Sequence, residues 1–100
     1  MKTVFRTFPG GDVIALFPRE PASAESYAYC LSYQRVGQHG QASPDLPNTR
    51  PSTPDEIAPL RAELECMGYE VDVAQRITRA DHAARREAWN KSIGRQLAVN

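Results

Sequence analysis

All eight prolines of this chain fall at or before Pro59. Proline fixes φ near −65° and brings no N–H, so a long regular helix is excluded from most of the first half and permitted in the second. Four of the six glycines also lie within the first 59 residues, which divides that half into short extended pieces. Strands followed by helices predict an α+β fold: a small antiparallel sheet of three to four strands with one helix packed on a face and a C-terminal helix. A chain of 100 residues supports one core of this kind and is too short for separate cofactor and substrate domains.

Residues 3 to 8 read as a strand, Pro9-Gly10-Gly11-Asp12 as a turn, and Val13-Ile14-Ala15-Leu16-Phe17 as a second strand. Five consecutive apolar residues predict that this second strand is central and covered on both faces, with Pro18 ending it. Residues 26 to 36 alternate Tyr27, Tyr29, Leu31 and Tyr33 against Ala28, Cys30, Ser32 and Gln34, the two-residue period of a strand whose aromatic face packs inward. Residues 37 to 52 read as a long loop. Thr53-Pro54-Asp55-Glu56 has the composition of a capping box with proline at the first helical position. Ile57, Leu60, Leu64 and Met67 then follow on one stripe, and Gly68 stands where a left-handed stop is expected. Pro59 conflicts with this helix, at a cost of about 3 kcal/mol in an ideal interior, and predicts a kinked or separate first turn. Tyr69, Val71 and Val73 alternate with polar neighbours as a further strand. Thr78 with Asp81 opens a second helix reaching about Leu97, whose stripe of Trp89, Ile93 and Leu97 is narrow. The expected organisation is a core domain over 1–78 and a semi-independent basic helix over 79–100.

Twelve basic residues balance twelve acidic ones, so no global field steers the chain toward nucleic acid or anionic lipid. The distribution is uneven: residues 1–53 carry +1, 54–75 carry −5, and 76–100 carry +4. Arg76, Arg79, Arg85, Arg86, Lys91 and Arg95 therefore form a candidate cationic helix for an acidic partner or nucleic acid. The competing expectation is a solvated face, with Arg85 or Arg86 paired internally to Glu63, Glu65 or Asp72. No apolar run approaches the roughly 20 residues of a membrane span, and no leader-like apolar segment follows Lys2. The expected location is the cytoplasm. Cys30 and Cys66, 36 positions apart, fit reduced thiols better than a zinc or redox motif, and adding His39 and His82 gives spacings of 9, 27 and 16 that match no zinc finger or ribbon. No cofactor, metal or catalytic residue is assigned.

Three blocks carry a resemblance. Gly11-Asp12-Val13-Ile14-Ala15-Leu16-Phe17-Pro18 is the first. Ser32-Tyr33 leading into Val36-Gly37-Gln38-His39-Gly40 and Ala42-Ser43-Pro44 is the second. Thr53-Pro54-Asp55-Glu56 with Glu63-Leu64-Glu65 and Gly68-Tyr69 is the third. In this order they resemble a family of small proteins encoded by phages, plasmids and other mobile elements, over roughly the first 78 residues. The resemblance implies a genetic context and no mechanism.

The most site-like segment is the 37–43 loop, where Gly37 and Gly40 open the backbone and Gln38, His39, Gln41 and Ser43 offer donors, acceptors and a titratable ring. The leading expectation is a non-enzymatic interaction or regulatory protein that binds a host macromolecule through this loop, the basic C-terminal helix, or both. A small hydrolase or metal-dependent enzyme using His39 with Cys30 or Asp45 is one alternative. A single-strand nucleic-acid or RNA binder using Tyr27, Tyr29, Tyr33, Arg35 and the basic tail is another, although core packing accounts for the tyrosines more simply.

Overall fold

A computed structural model describes residues 1–35 and 38–99, with side-chain surroundings through Ser92. Lys2–Thr7 (β1) and Val13–Pro21 (β2) make the expected hairpin, with Val4 opposite Leu16 and Thr7 opposite Val13. Gly11 turns the chain at φ 96°, a conformation that costs a side chain-free residue little. Cys30–Gln34 (β3) pairs antiparallel with β2, and Gln38–Ala42 (β4) pairs antiparallel with β3. Arg50–Pro51 (β5) and Asp72–Ala74 (β6) both join the far side of β1, β5 antiparallel and β6 parallel. Among the described residues the sheet therefore has six strands in the order β4-β3-β2-β1-β5, with β6 also on β1. The α+β class stands; the expected three to four strands are too few. Both additional strands come from the stretch read as a loop, where neither carries the apolar alternation that marks a half-buried strand.

The third strand is also shorter than its tyrosine pattern suggests. The β2–β3 register jumps from Phe17 opposite Leu31 to Pro21 opposite Cys30, so β2 runs on through Pro18 with a bulge where an end was expected. Residues 26 to 29 leave the ladder at this irregularity. Tyr27 and Tyr29 are 40% and 43% exposed, and of the three only Tyr33 is buried.

β2 is covered on both faces, as its apolar run predicts. On one side Phe5, Ala15, Phe17 and Tyr33 pack against Leu60, Leu64 and Val71. On the other, Val4, Ile14, Leu16, Cys30 and Ala42 are closed over by Phe8, Leu46, Ala74 and Ile77. The first face is covered by Pro54–Cys66 (α1), which begins and ends on local chemistry. Thr53 Oγ1 accepts from the Glu56 N–H at 3.3 Å, and Glu56 Oε1 accepts from the Thr53 N–H at 2.9 Å, completing the capping box. Arg50 donates to both Glu56 oxygens at 2.7 Å, and these bonds push the Glu56 carboxyl down to about 2. At the other end the Tyr69 N–H reaches Leu64 O and the Gly68 N–H reaches Glu65 O, at 3.1 and 3.0 Å, with Gly68 at φ 97°. This is the Schellman arrangement. It places Met67 at the cap, 44% exposed, outside the stripe assigned to it. Pro59 lies inside one continuous helix, and the bond it removes is the one to Asp55 in the opening turns.

Arg79–Val99 (α2) starts with a second reciprocal cap: the Thr78 N–H donates to Asp81 Oδ2 at 2.8 Å and the Asp81 N–H to Thr78 Oγ1 at 3.4 Å. Its first two turns are tied into the sheet by charge. Asp81, with no exposed surface, accepts from Lys2 Nζ at 2.6 Å and Arg19 Nε at 2.8 Å. Arg85, 3% exposed, donates to Pro18 O at 2.6 Å, to Tyr27 O at 2.7 Å and to His82 Nδ1 at 2.6 Å. Pro18 lies in the stretch of β2 where the β2–β3 register is interrupted, and its carbonyl is one of those that Arg85 takes.

Candidate functional site

β4 holds the residues singled out as a binding loop, in extended form. Gln38, His39, Gly40 and Gln41 are all exposed, and only Ala42 turns into the core. Alternation places His39, opposite Tyr33, and Gln41, opposite Leu31, on the α1 face, with Gly40 opposite Ser32 on the other. Ser43 follows in a turn, its Oγ accepting from the Asp45 N–H at 3.4 Å and its carbonyl from the Leu46 N–H at 3.2 Å. Gly37 lies outside the described residues.

His39 is braced from two directions. Its Nε2 shares a hydrogen bond of 2.9 Å with the Tyr69 hydroxyl, in a direction that follows the imidazole tautomer. Its ring meets Tyr33 edge-on, with centroids 4.7 Å apart. The braces are themselves fixed: Tyr33 Oη donates to Glu63 Oε1 at 2.5 Å, and Tyr69 stacks on Phe17 at 5.5 Å. The exposed imidazole thus stands on a row of rings rooted in the core. His39 is legible in the sequence as a polar residue between glycines, but its supports Tyr69 and Glu63 are not, because they lie 30 and 24 positions away along the chain and nothing local links them.

β4 is an edge of the sheet; among the described residues no strand pairs with its outer side. The opposite edge is guarded differently. β5 consists of an arginine and a proline, and β6 opens on Asp72, which pairs with the N-terminal ammonium at 2.9 Å. Proline, charge and short length are the usual protections against unwanted strand pairing. The exposed part of β4 has none of them apart from its length.

Of the pairings weighed for an enzyme, that of His39 with Cys30 is not assembled by the fold. Cys30 packs with Val4, Ile14 and Leu16 on the face of the sheet opposite to Tyr33 and His39, so the thiol and the imidazole do not meet. Burial pushes the Cys30 thiol up, outweighing the field of Arg85, whereas a reactive thiolate needs exposure and a lowered value. Among the described residues no three His, Cys, Asp or Glu side chains gather as a metal would require. Both cysteines are free thiols, Cys30 buried and Cys66 exposed. A thiol reagent should accordingly modify Cys66 at once in the native protein and Cys30 only on unfolding. Two equally fast thiols would show that the sheet face over Cys30 is open.

The cationic set divides. Arg76, Arg79, Arg86 and Lys91 are exposed, and Lys91 lies 3.5 Å from Glu87. Arg85 does not stand with the exposed set, because it is 3% exposed and its guanidinium is spent on the Pro18 and Tyr27 carbonyls. The side chain of Arg95 lies outside the described region. Neither Arg85 nor Arg86 takes the acidic partners expected for it: Glu63 bonds to Tyr33, Glu65 to Arg61 and Asp72 to the N-terminus. Arg86 instead lies over the Tyr27 ring at 5.6 Å, and Trp89 meets the same ring edge-on at 5.6 Å. A cleft of about 390 Å³ lies elsewhere, between Arg35, Asp12, Asp55 and Pro59, and reads as a solvated charged groove.

No protein-family model, curated protein or solved structure matches this chain. No described helix is long and apolar enough to cross a membrane.

Proposed function

We propose that this is a non-enzymatic interaction protein that accepts an extended segment of a partner protein along β4. The observation that carries the proposal is the open edge itself: exposed, without Lys, Arg, Asp or Glu, and backed by the other strands of the sheet. Strand addition uses the outward N–H and C=O groups for affinity, while alternate side chains set specificity. His39 and Gln41 are the two side chains such a strand meets on the α1 face, and His39 is already held in place, which lowers the entropic cost of the contact. The resemblance to mobile-element proteins adds a class of partner, a host protein met in the cytoplasm.

The test compares proteins captured from a host lysate by the wild-type chain and by a His39→Ala, Gln41→Ala double variant. Gln41 is exposed, and His39 gives up one hydrogen bond to Tyr69 and a ring contact with Tyr33, so the variant should lose about 1–2 kcal/mol of stability and still fold yet lose its captured partner, with affinity falling about tenfold or more. A partner kept by that variant and lost by an Arg79→Ala, Arg86→Ala, Lys91→Ala variant would move binding to α2. The Tyr27, Arg86 and Trp89 cluster favours a second reading on that side, the stacking of a single-stranded nucleic acid. Its signature is an affinity for a short RNA oligomer that falls steeply with salt.

A further inference from the structure

We infer that, in the free protein, β4 pairs with β4 of a second copy of this chain, giving a two-fold symmetric dimer centred on Gly40 that a partner strand must displace. The inference rests on the reading of β4 as a strand-accepting edge and names its occupant.

Symmetry restricts the possibilities. Two identical antiparallel strands in one sheet are related by a two-fold axis perpendicular to that sheet, so each copy presents the same face on the same side. Residues facing one another must then lie on the same face, so the axis lies between the strands, midway between one residue and its own counterpart in the other copy. β4 spans Gln38–Ala42, and its midpoint is Gly40. Centring there opposes every residue of β4 to a residue of the other copy's β4: Gly40 to Gly40 once at the axis, and His39 to Gln41 and Gln38 to Ala42 twice each. The pairing at the axis is between two residues without side chains, so the backbones approach freely. On the α1 face each imidazole lies beside an amide able to donate or accept. Centring on His39 would oppose the two imidazoles and leave Gln41 and Ala42 without partners in β4.

Charge agrees with the antiparallel arrangement. Arg35 precedes β4 and Asp45 follows it, both exposed, so antiparallel copies bring each end toward the end of opposite sign, and parallel copies would bring like charges together. Between them the exposed edge holds no Lys, Arg, Asp or Glu in a chain of which 24% is charged. A two-fold axis beside a charged strand would place like charges next to one another; beside this strand it does not. The other edge, with Arg50, Pro51 and Asp72, offers no such self-match.

The structure also supplies a substitution that spares the monomer. A Cβ at Gly40 would meet only Ser32 Oγ, at 3.6 Å, an ordinary contact, so Gly40→Lys and Gly40→Glu should each fold. Each places two like charges on the axis, within about 6 Å of one another between Cβ atoms. By sedimentation equilibrium the wild-type chain should rise from 11.1 kDa toward twice that mass between low-micromolar and near-millimolar concentration. Either variant alone should remain at monomer mass, and an equimolar mixture of the two should dimerise again. In a Cys66→Ser background, Gly40→Cys should form a disulfide-linked dimer on mild oxidation, because Cα atoms opposed across an antiparallel pair lie within disulfide reach. Gln38→Cys, opposed to Ala42, should not.

A wild-type chain that stays at monomer mass throughout overturns the dimer, as does a dimer indifferent to both Gly40 substitutions. If that monomer still loses its captured partner in the His39→Ala, Gln41→Ala variant, the strand-accepting edge stands and only its occupant is wrong. If the partner is kept as well, both readings fall.

Discussion

Replacing Leu64 by alanine should destabilise the protein by about 3 kcal/mol, within the range of roughly 2–5 kcal/mol for a fully buried leucine. Leu64 has no exposed surface and packs with Phe5, Phe17, Tyr33 and Leu60 between α1 and the sheet. Its carbonyl also accepts the Tyr69 N–H in the helix stop, so the backbone around the cavity is pinned and cannot collapse freely into the space left. For a domain of this size such a loss lowers the thermal midpoint by about 12–24 °C. Urea unfolding checks the figure: the midpoint should fall with little change in slope. The consequence reaches the candidate site, because Leu64 and Tyr33 share one packed cluster and Tyr33 supports His39. A variant with an unchanged midpoint would mean that α1 does not carry the core.

The parts of this fold that the sequence made legible are those decided within a few residues. The 3–17 hairpin has its turn residues between two apolar runs. The capping box at Thr53 to Glu56, the stop at Gly68 and the reciprocal cap of Thr78 and Asp81 are each a side chain reaching a backbone group three or fewer residues away, or a glycine meeting a positive φ. β4 was illegible for a physical reason. Four of its five residues are exposed, so neither face imposes apolar alternation, and the strand exists because β3 offers it a ladder. Tyr27 and Tyr29 misled in the opposite sense, since a two-residue period continues past the point where the β2 bulge breaks the pairing. The candidate site was half visible. His39 was singled out as a polar group between glycines, while its hydrogen-bonding partner Tyr69 and the anchor Glu63 become neighbours only through the sheet and α1.

The burial of Asp81 and Arg85 was the least legible feature, because an isolated charge on a helix is normally solvated and the partners here lie far away along the chain. Lys2 and Arg19 are 79 and 62 positions from Asp81. Their placement decides whether residues 79–100 are an appendage or part of the core. Asp81→Asn keeps the shape and one cap acceptor while removing the charge, so it isolates the ionic contribution. Breaking a buried pair by removing one partner costs about 3–5 kcal/mol, and the lower end applies because Lys2 and Arg19 still reach solvent. The acid limb supplies the sign. Burial alone would raise the Asp81 carboxyl, but hydrogen bonds from Lys2, Arg19 and the Thr78 N–H outweigh it and hold the group well below the ordinary carboxylate range. A group depressed on folding binds its proton more readily in the unfolded chain. Its contribution is therefore complete above the unfolded value of about 4 and is lost as pH falls through the folded one. The gap in stability between wild type and Asp81→Asn should thus be about 3 kcal/mol at neutral pH and should narrow steadily below about pH 4. Glu56 titrates in both proteins and cancels from the difference. A gap that persists unchanged in strong acid would assign the loss to shape instead of charge, and no gap at neutral pH would make α2 the separable helix that its narrow apolar stripe suggests.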